Sequence, residues 1–99
     1  MRPIHVAQLD ETRPVLLLTR ELVRPHLTTV TFAPITTTIR GLSTEVQVDA
    51  ANGLSAPSVV SCDNVTTIPA EALRDQIGVL LDDQEPQLSA AIRAAFDLD

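Results

Sequence analysis

The chain has 99 residues, a formal charge of −6 at pH 7, two aromatic side chains (Phe32 and Phe96) and one cysteine. One domain is expected over residues 1–99, and alone it would bury only about 60 to 65% of the surface its unfolded chain exposes, so a second copy would add stability. No run approaches the ~20 apolar residues that span a bilayer, Met1-Arg2-Pro3 does not open a signal sequence, and the single Cys62 gives neither a disulfide nor a zinc framework, so a cytoplasmic chain is expected.

Residues 4–9 alternate loosely, 14–19 form a nearly continuous apolar run, and 28–35 alternate Thr, Val, Thr and Phe ahead of Pro34, which reads as three strands. Two more follow at 43–48, where Val46 and Val48 share a face, and at 58–62, a β-branched run after Pro57. Between them, 49–57 holds Asn52-Gly53 and a closing Pro, the composition of a loop. Pro69 stands at a helix-start position, so a single helical turn is predicted over 69–72, with a last strand over 74–81. From Gln84 onward Leu88, Ile92, Ala95 and Phe96 recur at helical spacing, Pro86 lies in the first turn, and Asp82, Asp83 and Glu85 gather where the helix dipole favours negative charge. Five or six short strands closed by one C-terminal amphipathic helix give a mainly β (α+β) class: a small, strongly bent β-barrel with a core of Val, Ile, Leu and Ala.

The chemistry-bearing residues are few. His5 and His26 are far apart and neither has a partner at a metal-ligand spacing; there is no glycine-rich phosphate loop and no GxSxG, so no metal or other cofactor is expected. What remains is Arg and Thr at strand ends, Thr12-Arg13-Pro14 before one apolar run and Thr36-Thr37-Thr38 after another. A guanidinium offers a planar fork matched to phosphate oxygens, and a Thr hydroxyl can donate to the same group. The same residues also serve as ordinary solvated flanks of a strand, and residue type alone leaves both readings open. Net acidity disfavours a polyanionic partner, yet five of the seven arginines (Arg2, Arg13, Arg20, Arg24, Arg40) stand in the first forty positions against three acids, while Arg74 and Arg93 stand among ten.

Arg13-Pro14 followed by Val15-Leu16-Leu17-Leu18-Thr19 resembles the Arg-Pro-apolar strand near the start of MazF/PemK toxins, and Val30-Thr31-Phe32-Ala33-Pro34-Ile35-Thr36 is similar to their strand ending in Thr. The stretch from Ser58 through Cys62-Asp63-Asn64 to Thr67-Ile68 resembles the segment in which a Ser-Val strand leads to an acidic or amide pair and then Thr-Ile. With the strand-then-helix tail from Ala72 to Leu98, nearly the whole chain is covered; order and spacing carry the likeness more than any single motif. The resemblance implies an SH3-like β-barrel assembled as a homodimer, with a cognate antitoxin protein as partner and single-stranded RNA as substrate. It implies that Arg13 and Thr36 converge on the scissile phosphate while the adjacent 2′-hydroxyl attacks, leaving a 2′,3′-cyclic phosphate and a 5′-hydroxyl without a metal ion. Arg titrates far above neutrality, so Arg13 is read as an electrostatic clamp rather than a general base.

Two departures from the family pattern bear on RNA contacts. Only Asp10, Glu11 and Thr12 separate Leu9 from Arg13 where members carry a longer glycine-containing loop, and Thr66 stands where an Arg often precedes the Thr-Ile. Arg20, Arg24 and Arg40 are the candidates to replace the missing backbone contacts. With so few aromatics to stack bases, Asp63 and Asn64 are the candidates to read base edges, the alternative being a simple turn after a strand. A competing reading is a non-catalytic binder on the same barrel, such as a CcdB-like gyrase poison; Arg13, Thr36 and a C-terminal end without Trp weigh against it.

Overall fold

The computed structural model describes residues 1–99. Seven strands, β1 (Pro3–Gln8), β2 (Thr12–Leu17), β3 (Thr29–Thr36), β4 (Glu45–Val48), β5 (Ser58–Ser61), β6 (Thr66–Pro69) and β7 (Leu73–Val79), form a curled sheet, and one helix, α1 (Glu85–Ala95), follows. The order is β4-β5-β3-β2-β1-β7, and β6 adds to β3. The longest strand, β3, carries the curl: one edge pairs with β2, while the other pairs with β6 over Thr29–Phe32 and with β5 at Ile35 and Thr36. The expected mainly β class with a C-terminal helix is present, the bent barrel taking the form of a curled half-barrel, and no helix is long and apolar enough to cross a membrane.

Strand parity sorts the apolar residues into two cores, because successive side chains leave opposite faces of a sheet. Ile4, Leu16, Ala33, Ile35, Val46, Val48, Val60 and Cys62 face α1 and pack under Leu88 and Ala91. Ala7, Val15, Leu17, Val30 and Phe32 face the other way, covered by Leu9, Ile68, Ala70 and Leu73. Leu88 and Ala91 are the buried residues of α1 and Ile92 and Ala95 flank them, whereas Phe96 falls at the helix end and is exposed.

Several boundaries move from the sequence expectation. The second strand runs from Thr12 to Leu17 rather than over 14–19, since Thr12 and Arg13 pair with Gln8 and Ala7. Leu18 and Thr19 leave the ladder by turning both N–H groups to the Thr31 carbonyl, at 2.8 and 3.4 Å. There are seven strands, not five or six: β6 falls outside the expectation because Thr66-Thr67-Ile68-Pro69 has no apolar alternation, and all of it but Ile68 is exposed. The fourth strand starts at Glu45, not at residue 43, and the last runs Leu73–Val79 rather than 74–81, with Leu80 buried in the helix-side core beyond its end. The expected turn after Pro69 is a short 3-10 turn at Ala70–Ala72.

The 49–57 loop locks the end of the sheet. Asn52 is buried there, its amide donating to the Val79 carbonyl at 3.0 Å and to Gln84 Oε1 at 2.7 Å while its oxygen accepts the Asp49 N–H at 3.1 Å. Gly53 lies at φ 89 and stacks directly on Ile77 and Gly78, so a Cβ on either glycine would strike the facing backbone. Leu54, Ser55 and Ala56 are thereby held beside Arg13.

Candidate functional site

Two prolines decide where the site opens. The β2–β3 ladder runs Leu17 to Phe32, Leu16 to Ala33 and Val15 to Pro34. Neither Pro14 nor Pro34 has an N–H to contribute, so the ladder stops there, and the same register continued two residues sets Arg13 opposite Thr36. Arg13 pairs with Ala7 on its other side and Thr36 with Val59. The parity that turns Val15 and Phe32 away from α1 turns Arg13 and Thr36 away from it too.

Arg13 and Thr36 line one groove of about 430 Å³ and its neighbour of about 300 Å³. Pro34, Glu45 and Ser61, together with Thr38, Arg40, Leu42, Asp63 and Asn64, also line the larger groove. Arg13 Nη2 donates to Glu11 Oε1 at 2.6 Å, but both side chains are at least half solvated, and such a surface pair contributes about 0 to 1 kcal/mol. A phosphate can displace Glu11 at little cost. Thr36 Oγ1 accepts the Thr38 N–H at 3.1 Å, which fixes the oxygen and leaves the hydroxyl proton free to donate.

Asp63 and Asn64 follow directly on the buried Cys62 in a 3-10 turn after β5. Asp63 Oδ2 accepts the Thr44 hydroxyl at 2.6 Å, Asn64 Nδ2 donates to Ser61 Oγ at 2.8 Å, and the Thr66 hydroxyl donates to the Asn64 carbonyl at 2.9 Å. Burial, and secondarily the Asp63 carboxylate, push the Cys62 thiol up to about 11, so this thiol is a neutral core group. Arg40 is exposed and forms no ion pair. No three of the His, Cys, Asp and Glu side chains cluster closely enough to share a metal ion.

Of the residues singled out in the sequence, Arg13, Thr36, Arg40, Asp63 and Asn64 thus meet in one groove, and Arg20 and Arg24 do not. Arg20 lines a separate cleft with Arg2, Glu21, Asp82 and Glu85. Arg24 reaches Glu21 at 3.7 Å and places Nη1 3.4 Å from His5 Nε2, while His5 Nδ1 donates to the Arg74 carbonyl at 2.8 Å. Glu11, Glu45 and Ser61 belong to the site region without having been singled out; the only sequence signal was the nearness of Glu11 to Arg13. Arg13 and Arg40 are matched in the groove by Glu45 and Asp63, so its positive charge is local to the two guanidinium groups.

A family model of the PemK-like, MazF-like toxins of type II toxin-antitoxin systems matches residues 3–96. Endoribonuclease MazF3 of Mycobacterium tuberculosis (strain ATCC 25618 / H37Rv) is 72% identical over 99 residues, which are 100% of this chain and 96% of that protein. The structure of Mycobacterium tuberculosis toxin MazF-mt6 superposes with a TM-score of 0.97 at 71% identity, covering 99% of each chain. An endoribonuclease from Mycobacterial species in complex with its cognate antitoxin shares the fold at a TM-score of 0.86 and 21% identity, over 98% of this chain and 93% of that one. Sequence and fold agree, and the chain belongs to the PemK-like, MazF-like toxins of type II toxin-antitoxin systems.

Proposed function

We propose that the groove between β2, β3 and β5 is the active site of an RNA-cleaving toxin that works without a metal ion. The observation that carries this reading is the meeting of an exposed guanidinium and a Thr hydroxyl with a free proton where the β2–β3 ladder ends. The chain is an endoribonuclease toxin acting as one domain over residues 1–99, and its substrate is single-stranded RNA in the cytoplasm. The whole-chain match to a protein named as an endoribonuclease favours this over a gyrase poison or a silent binder.

In the proposed reaction the 2′-oxygen bonds to phosphorus as the bond to the 5′-oxygen breaks; the 2′-hydroxyl gives up its proton to solvent and the departing 5′-oxygen takes one from solvent, leaving a 2′,3′-cyclic phosphate and a 5′-hydroxyl. Charge builds on the non-bridging oxygens, and preformed donors lower the barrier most when they meet that charge. Arg13 exchanges Glu11 for those oxygens and acts as a two-pronged clamp, while Thr36, held by the Thr38 amide, supplies one further hydrogen bond. Arg40 steadies a neighbouring phosphate, and Asp63 and Asn64 meet base edges, where an acceptor is tolerated that a phosphate would repel. Arg20 and Arg24 reach RNA only where the strand runs on past the groove.

A homodimer with a largely aliphatic interface and an antitoxin whose acidic segment occupies the Arg-bearing groove complete the proposal. The antitoxin's hold weakens as salt rises, and sedimentation at micromolar concentration gives the mass of two chains; a single-chain mass removes the dimer. The test of the site itself is Arg13→Ala: a protein folded by circular dichroism that has lost cleavage of single-stranded RNA supports the reading, and one that cuts at the wild-type rate ends it.

A further inference from the structure

The groove contains a carboxylate that neither cleavage nor base reading requires. Glu45, the first residue of β4, pairs with Ser61 on the groove face of the sheet, where a polyanion would be repelled by it. Its oxygens are nonetheless committed to backbone. Oε1 accepts the Arg40 N–H at 3.2 Å and the Leu42 N–H at 3.1 Å, Oε2 lies 3.4 Å from the Arg40 nitrogen, and the Glu45 N–H returns to the Leu42 carbonyl at 3.1 Å. Gly41, between the two donating amides, lies at φ 72, the left-handed conformation that turns the flanking N–H groups toward one anion. Glu45 stands five positions after Arg40 along the chain, yet it takes the Arg40 main chain and leaves that guanidinium without an ion-pair partner.

We propose that Glu45 is a positioning residue for RNA cleavage, fixing the Arg40-Gly41-Leu42 turn so that the Arg40 guanidinium stands free on the groove wall to take a phosphate. This rests on the reading of the groove as the RNA site. An ordered turn has less conformational freedom to lose when RNA binds, so the contact is tighter than the same arginine on a loose loop would give. Glu suits this position because Oε1 accepts both amides, Oε2 adds a longer contact to the Arg40 N–H, and both carry the negative charge. A Gln of the same size keeps one oxygen for the two amides but loses the charge and turns an NH₂ donor toward the Arg40 N–H that Oε2 faces at 3.4 Å, so it holds the turn more weakly.

The experiment measures Arg40 through Glu45. With a fluorescent 2′-O-methyl single-stranded RNA, which binds but has no 2′-hydroxyl to react, Glu45→Gln weakens binding about tenfold and lowers the slope of log Kd against log salt by about 0.7, the value for one phosphate contact on a single strand. Arg40→Ala does the same, and the double variant is no weaker than either single one. On cleavable RNA, Glu45→Gln raises KM with kcat within about twofold of the wild type. A merely structural role lowers the thermal midpoint and leaves the salt slope alone, and that result overturns the proposal, as do additive effects in the double variant. Amide exchange of the wild-type protein gives a check that does not depend on any variant folding: the Arg40 and Leu42 amides exchange more slowly than that of Gly41, and equal rates contradict the proposal. Failure of the coupling leaves cleavage by Arg13 untouched, whereas cleavage by Arg13→Ala removes the active-site reading while the binding cycle still reports on Glu45.

Discussion

On β2 and β3, Leu16, Ala33 and Ile35 point toward the C-terminal helix and are almost wholly buried, whereas Arg13 and Thr36, of the other parity, line an open groove. The junction after β5 repeats the contrast within two residues, Cys62 sealed in the core and Asp63 lining the groove. At this end of the sheet alternation thus sends one set of side chains under the helix and the other to the groove, while farther along the groove parity Val15 and Phe32 are buried in the second core. The buried set makes the floor rigid and the exposed set inherits that rigidity, which is how a chain this small holds Arg13 and Thr36 in register. Each face should therefore fail in its own way when altered.

The largest expected effect is on the packed face. Leu16→Ala removes a fully buried side chain from the helix-side core and should cost about 2 to 5 kcal/mol in urea-unfolding free energy, with kcat per folded molecule unchanged. A large kcat loss in the folded fraction would show that the two faces are not separable. On the open face, Arg13→Ala should leave the urea midpoint within error and reduce cleavage roughly 100-fold or more, corresponding to about 3 kcal/mol of lost transition-state stabilisation.

A third prediction concerns Cys62, whose pKa rises from an ordinary value of 9.0 to about 11 in the folded chain. The folded state then holds a proton that the unfolded state releases, so this stability is whole below pH ~9 and declines as pH rises through about 11. The full loss is about 2 to 3 kcal/mol, and because the chain has no Lys or Tyr no other side chain is ordinarily titrated in that window. Cys62→Ala should flatten the alkaline fall in urea-unfolding free energy; a fall of the same size in that variant would assign it elsewhere. Smallest of all, Thr36→Ala removes one neutral donor and should cost about 1 kcal/mol, roughly a five- to tenfold loss in kcat, with the Arg13 dependence intact.

The same alternation explains what was legible beforehand. The strands at β1 and β3 and the helix beginning after Gln84 carry periodic apolar residues and were readable from them. The sixth strand was not, because Thr66–Pro69 earns its place by pairing with β3 and buries little of its own surface. Arg13 and Thr36 were visible as strand-end residues and by resemblance, but their apposition depends on a register that no local pattern encodes. Arg20, Arg24 and Arg40 looked alike as charges; only the fold separates the one on the groove wall from one in another cleft and one tied to Glu21 and His5. Glu45 and Asn52 were silent for a related reason, since both act by gathering backbone groups of turns whose shape appears only once the chain is folded.

The central claim is that the RNA's own 2′-hydroxyl is the nucleophile and that Arg13 and Thr36 stabilise its attack without a metal. It is tested most directly by giving EDTA-treated protein two single-stranded RNAs of the same sequence, one wholly ribose and one with a single 2′-deoxy nucleotide before the scissile phosphate. The account predicts that the first is cut to a 2′,3′-cyclic phosphate and a 5′-hydroxyl end and that the second stays whole. Cleavage of the deoxy-substituted strand, or cleavage of either only when magnesium is restored, would contradict it.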